Sequence, residues 1–229
     1  MSVPREPAIE NLEQALFVRR RDLPWHVRML PMAIAGILVA IWLAYPQSTL
    51  NSWALSAQSV RDDGLKPLFL HMFAHGGVLH VLMNAAGLIM LSAPLIVNLG
   101  RSPIAFARYI YLLIGSGLFG GVLFLAIHPH GPSSMLGASG AIFGLLGALT
   151  RMHPASGQVV PLRSMRTWLL AKLFVREHAV MLALLALVTF YTGSSAGIAW
   201  EAHLGGLLFG LVAAPLFLES SEQRLPGSS

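Results

Sequence analysis

The feature that most constrains this chain is a series of six apolar runs, separated from one another by proline, glycine or charged residues. A helix of about 20 apolar residues crosses the hydrocarbon core of a bilayer. Charged residues make up only 11% of the chain, whereas soluble domains carry about a quarter. We therefore predict an all-α membrane protein with six transmembrane helices, at 29–45, 78–99, 104–127, 139–150, 173–191 and 198–218.

The distribution of positive charge predicts how these runs are oriented. Cytoplasmic loops of membrane proteins carry an excess of Lys and Arg. Most basic residues lie before the first run or after the second, fourth and sixth, and only Arg61 and Lys66 fall on the other side. Both termini are therefore predicted to be cytoplasmic, and the loops at 46–77, 128–138 and 192–197 to face outward. The net charge of +5 reflects this topology rather than nucleic-acid binding.

The same pattern divides the chain into three parts. We expect a cytoplasmic N-terminal segment at 1–27, a six-helix domain at 28–218 and a cytoplasmic tail at 219–229. The leader AIENLEQALFVRRR has apolar residues at helical spacing, with acids first and arginines last, which predicts a short amphipathic helix. The first run is interpreted as a retained helix, because a long polar leader precedes it and no small-residue cleavage site follows.

The chain has no cysteine, so disulfides and thiolate metal sites are excluded.

Polar residues in the predicted spans are costly in a bilayer and tend to mark function or helix contacts. The stretch HMFAHGGVLHVLMNAAG carries His71, His75, His80 and Asn84 up to and into the second span. His80 and Asn84 are four residues apart and share one helical face with Gly87. That face is predicted to contact protein, because lipid cannot satisfy its polar groups.

The fourth span begins at Ser139, within SSMLGASGAIFG, and ends near Arg151. A dozen residues rise only about 18 Å, well short of the ~30 Å hydrocarbon core. With Arg151 at the cytoplasmic interface, Ser139 lies on the order of 10 Å below the outer surface. We therefore predict a short fourth helix that starts inside the membrane. Irregular backbone must lead to it, which is tolerated only beside a water-filled cavity or within protein.

The sixth span contains EAHLGGLLFG, in which His203, Gly206 and Gly210 share one helical stripe. The fourth span has its own pair of small residues, Gly140 and Gly144. We assign these four glycines to helix packing, which would bring the histidine within about 3 Å of the serine. Each feature has an ordinary alternative, since membrane serines mostly bond their own helix and a lone histidine can be structural. Their conjunction favours a nucleophilic serine.

Three motifs in this chain resemble those of the rhomboid intramembrane serine proteases. GASG at 137–140 is similar to the family's GxSG motif, HVLMN at 80–84 to HxxxN, and AHLGGLLFG at 202–210 to AHxxGxxxG. They occur in the family's order and on its second, fourth and sixth helices. Histidines matching His71 and His75 also occur in some members. The resemblance implies a six-helix rhomboid-like bundle with a short central fourth helix.

The resemblance also implies a serine endopeptidase that needs no metal and no other cofactor. It makes Ser139 the nucleophile and His203 the general base, and no Asp lies in any span to serve as a third member. It implies that Asn84, His80 and the backbone N–H of Ser139 stabilise the oxyanion. Gly137, which lacks a side chain, would let the substrate backbone approach.

The implied substrates are transmembrane segments of single-pass membrane proteins, cleaved near the outer face. Such a segment must unwind locally, because a hydrogen-bonded helix shields its carbonyl groups from attack. Apart from the substrate, the predicted partner is the lipid bilayer, nucleic acid is not expected, and the oligomeric state is left open. The short acid-containing leader argues against a mitochondrial transit peptide and favours the bacterial inner membrane.

One departure from the family pattern lies in the first outer loop, where many rhomboids carry a Trp-Arg pair and this chain has Lys66-Pro67. The departure bears on how the loop is anchored, not on the dyad. Two other functions stay open. A transporter or proton channel could use the histidines as a relay, although it would usually require intramembrane carboxylates. An inactive rhomboid-like chaperone would typically lack the serine or the histidine, and both are present.

Overall fold

The computed structural model describes residues 25–99, 103–153, 158–192 and 197–217. Residues 1–24 of the predicted N-terminal segment and the predicted tail at 219–229 lie outside the described residues. Within those four ranges the chain is all-helical, and two isolated β-bridges are its only β pairing. The helices are α1 (Trp25–Ala44), α2 (Gln47–Ser52), α3 (Ala57–Asp63), α4 (Lys66–Leu70), α5 (Val78–Leu99), α6 (Pro103–Ile127), α7 (Ser139–Thr150), α8 (Met165–Thr192) and α9 (Trp200–Phe217).

Each of the six predicted spans falls on one of the longer helices, but length and hydropathy identify fewer of them as membrane-spanning. Among the described residues, three segments are long and apolar enough to cross a bilayer: Val78–Ile96, Ile104–Ile127 and Trp200–Phe217. Two further apolar helices are shorter, Met29–Ala44 and Ser139–Thr150. Many large apolar side chains lie exposed on the surface of the described residues, as expected for a surface that faces lipid. These findings agree with the predicted all-α membrane protein.

The short helix α7 is central: most of its residues are buried, and it packs against α9, α6 and α5. Gly137, at φ +123°, turns the chain just before the helix starts. Arg151 caps its other end. The Arg151 side chain donates from Nε to the Val160 carbonyl oxygen at 2.6 Å and from Nη1 to the Leu211 carbonyl oxygen at 2.7 Å. The last of these bonds ties the end of α7 to α9.

Glycines allow α7 and α9 to meet backbone to backbone along what we call the glycine seam. A Cβ added at Gly206 would overlap the carbonyl oxygen of Gly140, and one added at Gly210 would overlap that of Gly144. Small residues permit this close approach between membrane helices, where dispersion contacts rather than the hydrophobic effect drive association. The four glycines selected from the sequence therefore lie at the α7–α9 contact.

The other side of α9 packs in the same way against α6. A Cβ added at Gly120 would lie 2.6 Å from the Ala202 carbonyl oxygen, and one added at Gly205 would lie 2.8 Å from the Gly120 Cα. A hydrogen bond of 2.6 Å joins His128, just after α6, to Glu201 in the first turn of α9. The start of α9 is thus held between α6 and α7.

The segment 128–138 lacks regular structure and is held by the segment 46–77. Leu55 and Met135 exchange two backbone hydrogen bonds, of 2.8 and 2.9 Å. The Gly137 N–H donates to the His71 carbonyl oxygen at 2.8 Å. Protein partners therefore satisfy part of the backbone that leads into α7, which is the condition under which irregular backbone is tolerated at membrane depth.

The glycine seam predicts a difference between two Gly→Ala variants. Gly206→Ala should lower the free energy of unfolding by about 1–3 kcal/mol, the usual range for overpacking, because its methyl group would overlap the Gly140 carbonyl. Gly36→Ala is the matched control, since a Cβ there meets nothing within 4 Å and alanine favours the helix. Thermal unfolding in detergent measures both. Equal unfolding temperatures for the two variants would contradict a close seam.

Candidate active site

The serine and histidine selected from the sequence lie in contact. Ser139 is the first residue of α7, and His203 lies near the start of α9. The His203 Nε2 atom lies 2.7 Å from the Ser139 Oγ atom, which is a hydrogen-bonding distance. His203 is buried, with 7% of its surface exposed. The glycine seam leads directly to this contact, because Gly140 and Ala202, the chain neighbours of the two residues, also meet there.

Two further side chains hold the His203 ring. Phe143, one turn after Ser139 on α7, stacks on it with a centroid separation of 4.3 Å and an interplanar angle of 28°. His178, on α8, brings its Nε2 atom to 3.0 Å from the His203 Nδ1 atom. The other nitrogen of His178, Nδ1, lies 3.0 Å from the Phe174 carbonyl oxygen. Neither Phe143 nor His178 was selected from the sequence, although a histidine inside a predicted span is itself a signal.

The histidine of the HxxxN motif contacts the segment that leads into Ser139. The His80 ring packs against Gly137, where an added Cβ would lie 2.7 Å from Nε2. Asn84 is buried, and its Nδ2 atom donates to the His80 carbonyl oxygen at 2.9 Å. The Asn84 Oδ1 atom has no hydrogen-bond partner in the described part of the chain, and among those same residues neither side chain bonds to Ser139. An amide carries two N–H donors, so Asn84 keeps one for a ligand.

His71 and His75 belong to the loop that supports the site. The His71 Nδ1 atom lies 3.1 Å from the Pro67 carbonyl oxygen, and its own carbonyl accepts from Gly137. Neither ring nitrogen of the buried His75 has a hydrogen-bond partner among the described residues, and the ring meets His80 edge-on with centroids 5.0 Å apart. Burial is the main cause that lowers the pKa of each of these two histidines to about 4. Both rings are therefore neutral at pH 7.

Glu201 is the acidic residue nearest to His203 in the chain, and it faces a different partner. Its Oε1 atom lies 2.6 Å from His128 Nε2. The carboxylate therefore ties α9 to the end of α6. This agrees with the expectation that residues two apart on a helix point in different directions.

A cavity of about 470 Å³ lies between α7, α8 and α9, and Phe143 and His178 are among its lining residues. Its lining is largely apolar, and Phe143, Phe174 and His178 form the part nearest the His203 ring. Within the described ranges, no group of three or more His, Cys, Asp or Glu residues is placed to hold a metal ion. The groups that the described residues bring together here are a hydroxyl, an imidazole and nearby hydrogen-bond donors.

Comparisons with known proteins agree with the motifs. Residues 62–220 match the Rhomboid domain, and this range contains all three motifs. One relative, named "Putative rhomboid protease YdcA", comes from Bacillus subtilis (strain 168) and is 26% identical over 218 residues, which cover 91% of this chain and 100% of that protein. Another, "RHOMBOID-like protein 12, mitochondrial" of Arabidopsis thaliana, is 25% identical over 205 residues, which cover 80% of this chain and 56% of that protein. The predicted resemblance is confirmed: this chain belongs to the rhomboid family of intramembrane proteases.

Proposed function

We propose that this protein is an intramembrane serine endopeptidase in which Ser139 and His203 form the catalytic dyad. Its substrates are transmembrane segments of single-pass proteins, which it cleaves near the outer face of the membrane. The observation that carries the proposal is the 2.7 Å contact between the Ser139 Oγ and His203 Nε2 atoms in a chain of this family. A nucleophile and a base within hydrogen-bond reach are the minimum that acyl transfer requires.

The reaction follows from this pair. His203 Nε2 accepts the hydroxyl proton while Ser139 Oγ attacks the carbonyl carbon of the scissile peptide bond. The imidazolium then gives that proton to the departing amine nitrogen, and the acyl-enzyme remains. A water molecule gives a proton to His203 and attacks the ester, and the proton returns to Ser139 as the acid product leaves.

The developing oxyanion needs donors that are already in place. The Ser139 N–H is one, because the first N–H groups of a helix have no partner within the helix. The remaining N–H of Asn84 and the His80 ring lie on α5, beside the segment that leads into Ser139. Losing one such donor typically costs about 2.7–4 kcal/mol of transition-state stabilisation. The missing side chain of Gly137 lets the His80 ring pack against this segment. We propose, as the family resemblance implies, that it also lets the substrate backbone approach Ser139.

The substrate class follows from where the dyad lies in the bilayer. We propose that all six predicted runs cross the membrane within a catalytic domain at 28–218, and that Ser139 lies on the order of 10 Å below the outer surface. Water would reach it through a pocket that opens outward. A transmembrane segment that loses its helical hydrogen bonds could enter that pocket and present a carbonyl group. The family resemblance implies small residues at the cleavage point.

The proposed location is the bacterial inner membrane, with both termini in the cytoplasm. The bias of Lys and Arg toward the predicted cytoplasmic loops supports this orientation. The outward-facing pocket would then release products on the far side from the cytoplasm. The N-terminal segment at 1–27 and the tail at 219–229 would lie on the cytoplasmic side.

The dyad predicts the behaviour of two variants in a cleavage assay with purified protein and a single-pass test substrate in detergent. Ser139→Ala and His203→Ala should each lower kcat by about 10⁴-fold or more, because each removes a group that acts in every chemical step. A fluorophosphonate probe should label wild-type protein at Ser139 and leave Ser139→Ala unlabelled. Labelling also separates a protease from a transporter or a chaperone, neither of which has an activated serine.

The control for this experiment is Ser52→Ala, since Ser52 is exposed on α2 and its hydroxyl donates to the Thr49 carbonyl oxygen of its own helix. It should cleave and be labelled as wild type does. Unfolding temperatures must match among all variants. Cleavage at the wild-type rate by either dyad variant would overturn the proposed function.

The contact between Gly137 and His80 predicts a second pair of variants. Gly137→Ala should lower kcat by about tenfold or more, because the new Cβ would lie 2.7 Å from the His80 ring and displace an oxyanion donor. Gly131→Ala is the control, since Gly131 also has a positive φ, of +94°, but a Cβ there meets open space. It carries the same kind of backbone strain without touching the site. Equal kcat values for the two variants would remove His80 from the oxyanion site.

A further inference from the structure

We propose that His178 is the positioning residue of the catalytic base, so that Ser139, His203 and His178 form one directed chain of hydrogen bonds. This inference rests on the proposed function and names the group that orients His203 within it. The chain crosses three helices: Ser139 lies on α7, His203 on α9 and His178 on α8.

The direction of the chain is fixed at its far end by a backbone carbonyl. The Phe174 carbonyl oxygen can only accept, so the His178 Nδ1 atom, 3.0 Å away, carries the proton and donates it. A neutral imidazole has one N–H, which leaves the His178 Nε2 atom as an acceptor. The His203 Nδ1 atom, 3.0 Å from that acceptor, must then be the donor.

This direction determines the protonation of the His203 nitrogen that faces Ser139. With the proton on Nδ1, the Nε2 atom of His203 has a free lone pair, and this is the atom 2.7 Å from the Ser139 hydroxyl. The arrangement therefore selects the one tautomer of His203 that can take the serine proton. A histidine without a partner at Nδ1 would also populate the other tautomer, which donates at Nε2 and cannot act as the base.

Packing holds the two imidazoles in this arrangement. The Phe143 ring contacts both, with centroids 4.3 Å from His203 and 4.9 Å from His178. The Phe174 ring lies against the His178 ring, with the two centroids 3.9 Å apart. His178 is 8% exposed, so water competes little for its nitrogens. The two imidazole rings are inclined at 78°, which lets the lone pair of one meet the N–H edge of the other.

Neither of the acidic residues closest in the chain to these two histidines takes this role, because Glu201 bonds to His128 and Glu177 pairs with Arg176. A neutral imidazole is a weaker partner than a carboxylate, since it adds no charge–charge attraction when His203 becomes protonated. The His178 Nε2 atom still accepts the hydrogen bond from the His203 Nδ1–H throughout the reaction, and no proton moves to His178. We therefore expect a smaller effect than the ~10⁴-fold loss seen when the acid of a serine triad is neutralised.

The test compares two substitutions at the same position. His178→Phe keeps a ring of similar shape and removes the acceptor, so kcat should fall about 10- to 100-fold, the rate equivalent of one hydrogen bond to a charged group, while KM changes by less than about twofold. His178→Gln places an amide oxygen near the former Nε2 atom and should restore most of the lost kcat. Val175→Ala, at a position of α8 that is 65% exposed, is the control and should match wild type.

The outcomes separate the role of His178 from mere packing. Wild-type kcat in His178→Phe would overturn the inference, as would equal losses in His178→Phe and His178→Gln at matched unfolding temperatures. If neither variant folds, His178→Ala with added imidazole decides, because the neighbouring cavity of about 470 Å³ has room for the free base. A rise in kcat with imidazole supports the inference, and no rise overturns it. Loss of cleavage in Ser139→Ala together with full kcat in His178→Phe would leave the proposed function standing and remove only the positioning role.

Discussion

The close approach of α7 and α9 is the constraint on which the rest of the structure depends. Lipid tails are as apolar as leucine side chains, so two membrane helices gain little from burying bulky groups against each other. Here Gly140 and Gly206 let backbone meet backbone instead. Ser139 and His203, 64 residues apart in the chain, lie at the same end of this seam. Their contact therefore follows from how two rigid helices pack rather than from the conformation of a flexible loop.

The remainder of the fold fixes both ends of that seam. Arg151 bonds to the Leu211 carbonyl at one end, and Glu201 bonds to His128 at the other. The irregular segment before Ser139 is pinned by the backbone bonds of Leu55 and His71. A site held in this way is organised before substrate arrives, which is the main source of electrostatic catalysis.

The parts of this structure that depend on spacing along one helix could be predicted from the sequence. The start of α7 at Ser139 follows from the length of the apolar run, and the stripe of His203, Gly206 and Gly210 follows from helical periodicity. His178 could not be assigned in this way, because its partner depends on how α8 rotates and packs, which no local pattern encodes. A signal existed, since a histidine within a predicted span is costly unless something bonds to it. At 12 residues, α7 is shorter than the roughly 20 residues that cross a bilayer.

Disulfide trapping across the seam tests the central claim most directly, because the chain has no cysteine of its own. A Cβ at Gly140 would lie 3.7 Å from the Ala202 Cβ, close to the ~3.8 Å separation typical of disulfides. We therefore predict that Gly140→Cys combined with Ala202→Cys forms a disulfide in membranes under mild oxidation, while Gly36→Cys combined with Ala202→Cys does not. Two free thiols in the oxidised Gly140→Cys/Ala202→Cys protein, counted after denaturation, would show that α7 and α9 do not meet here.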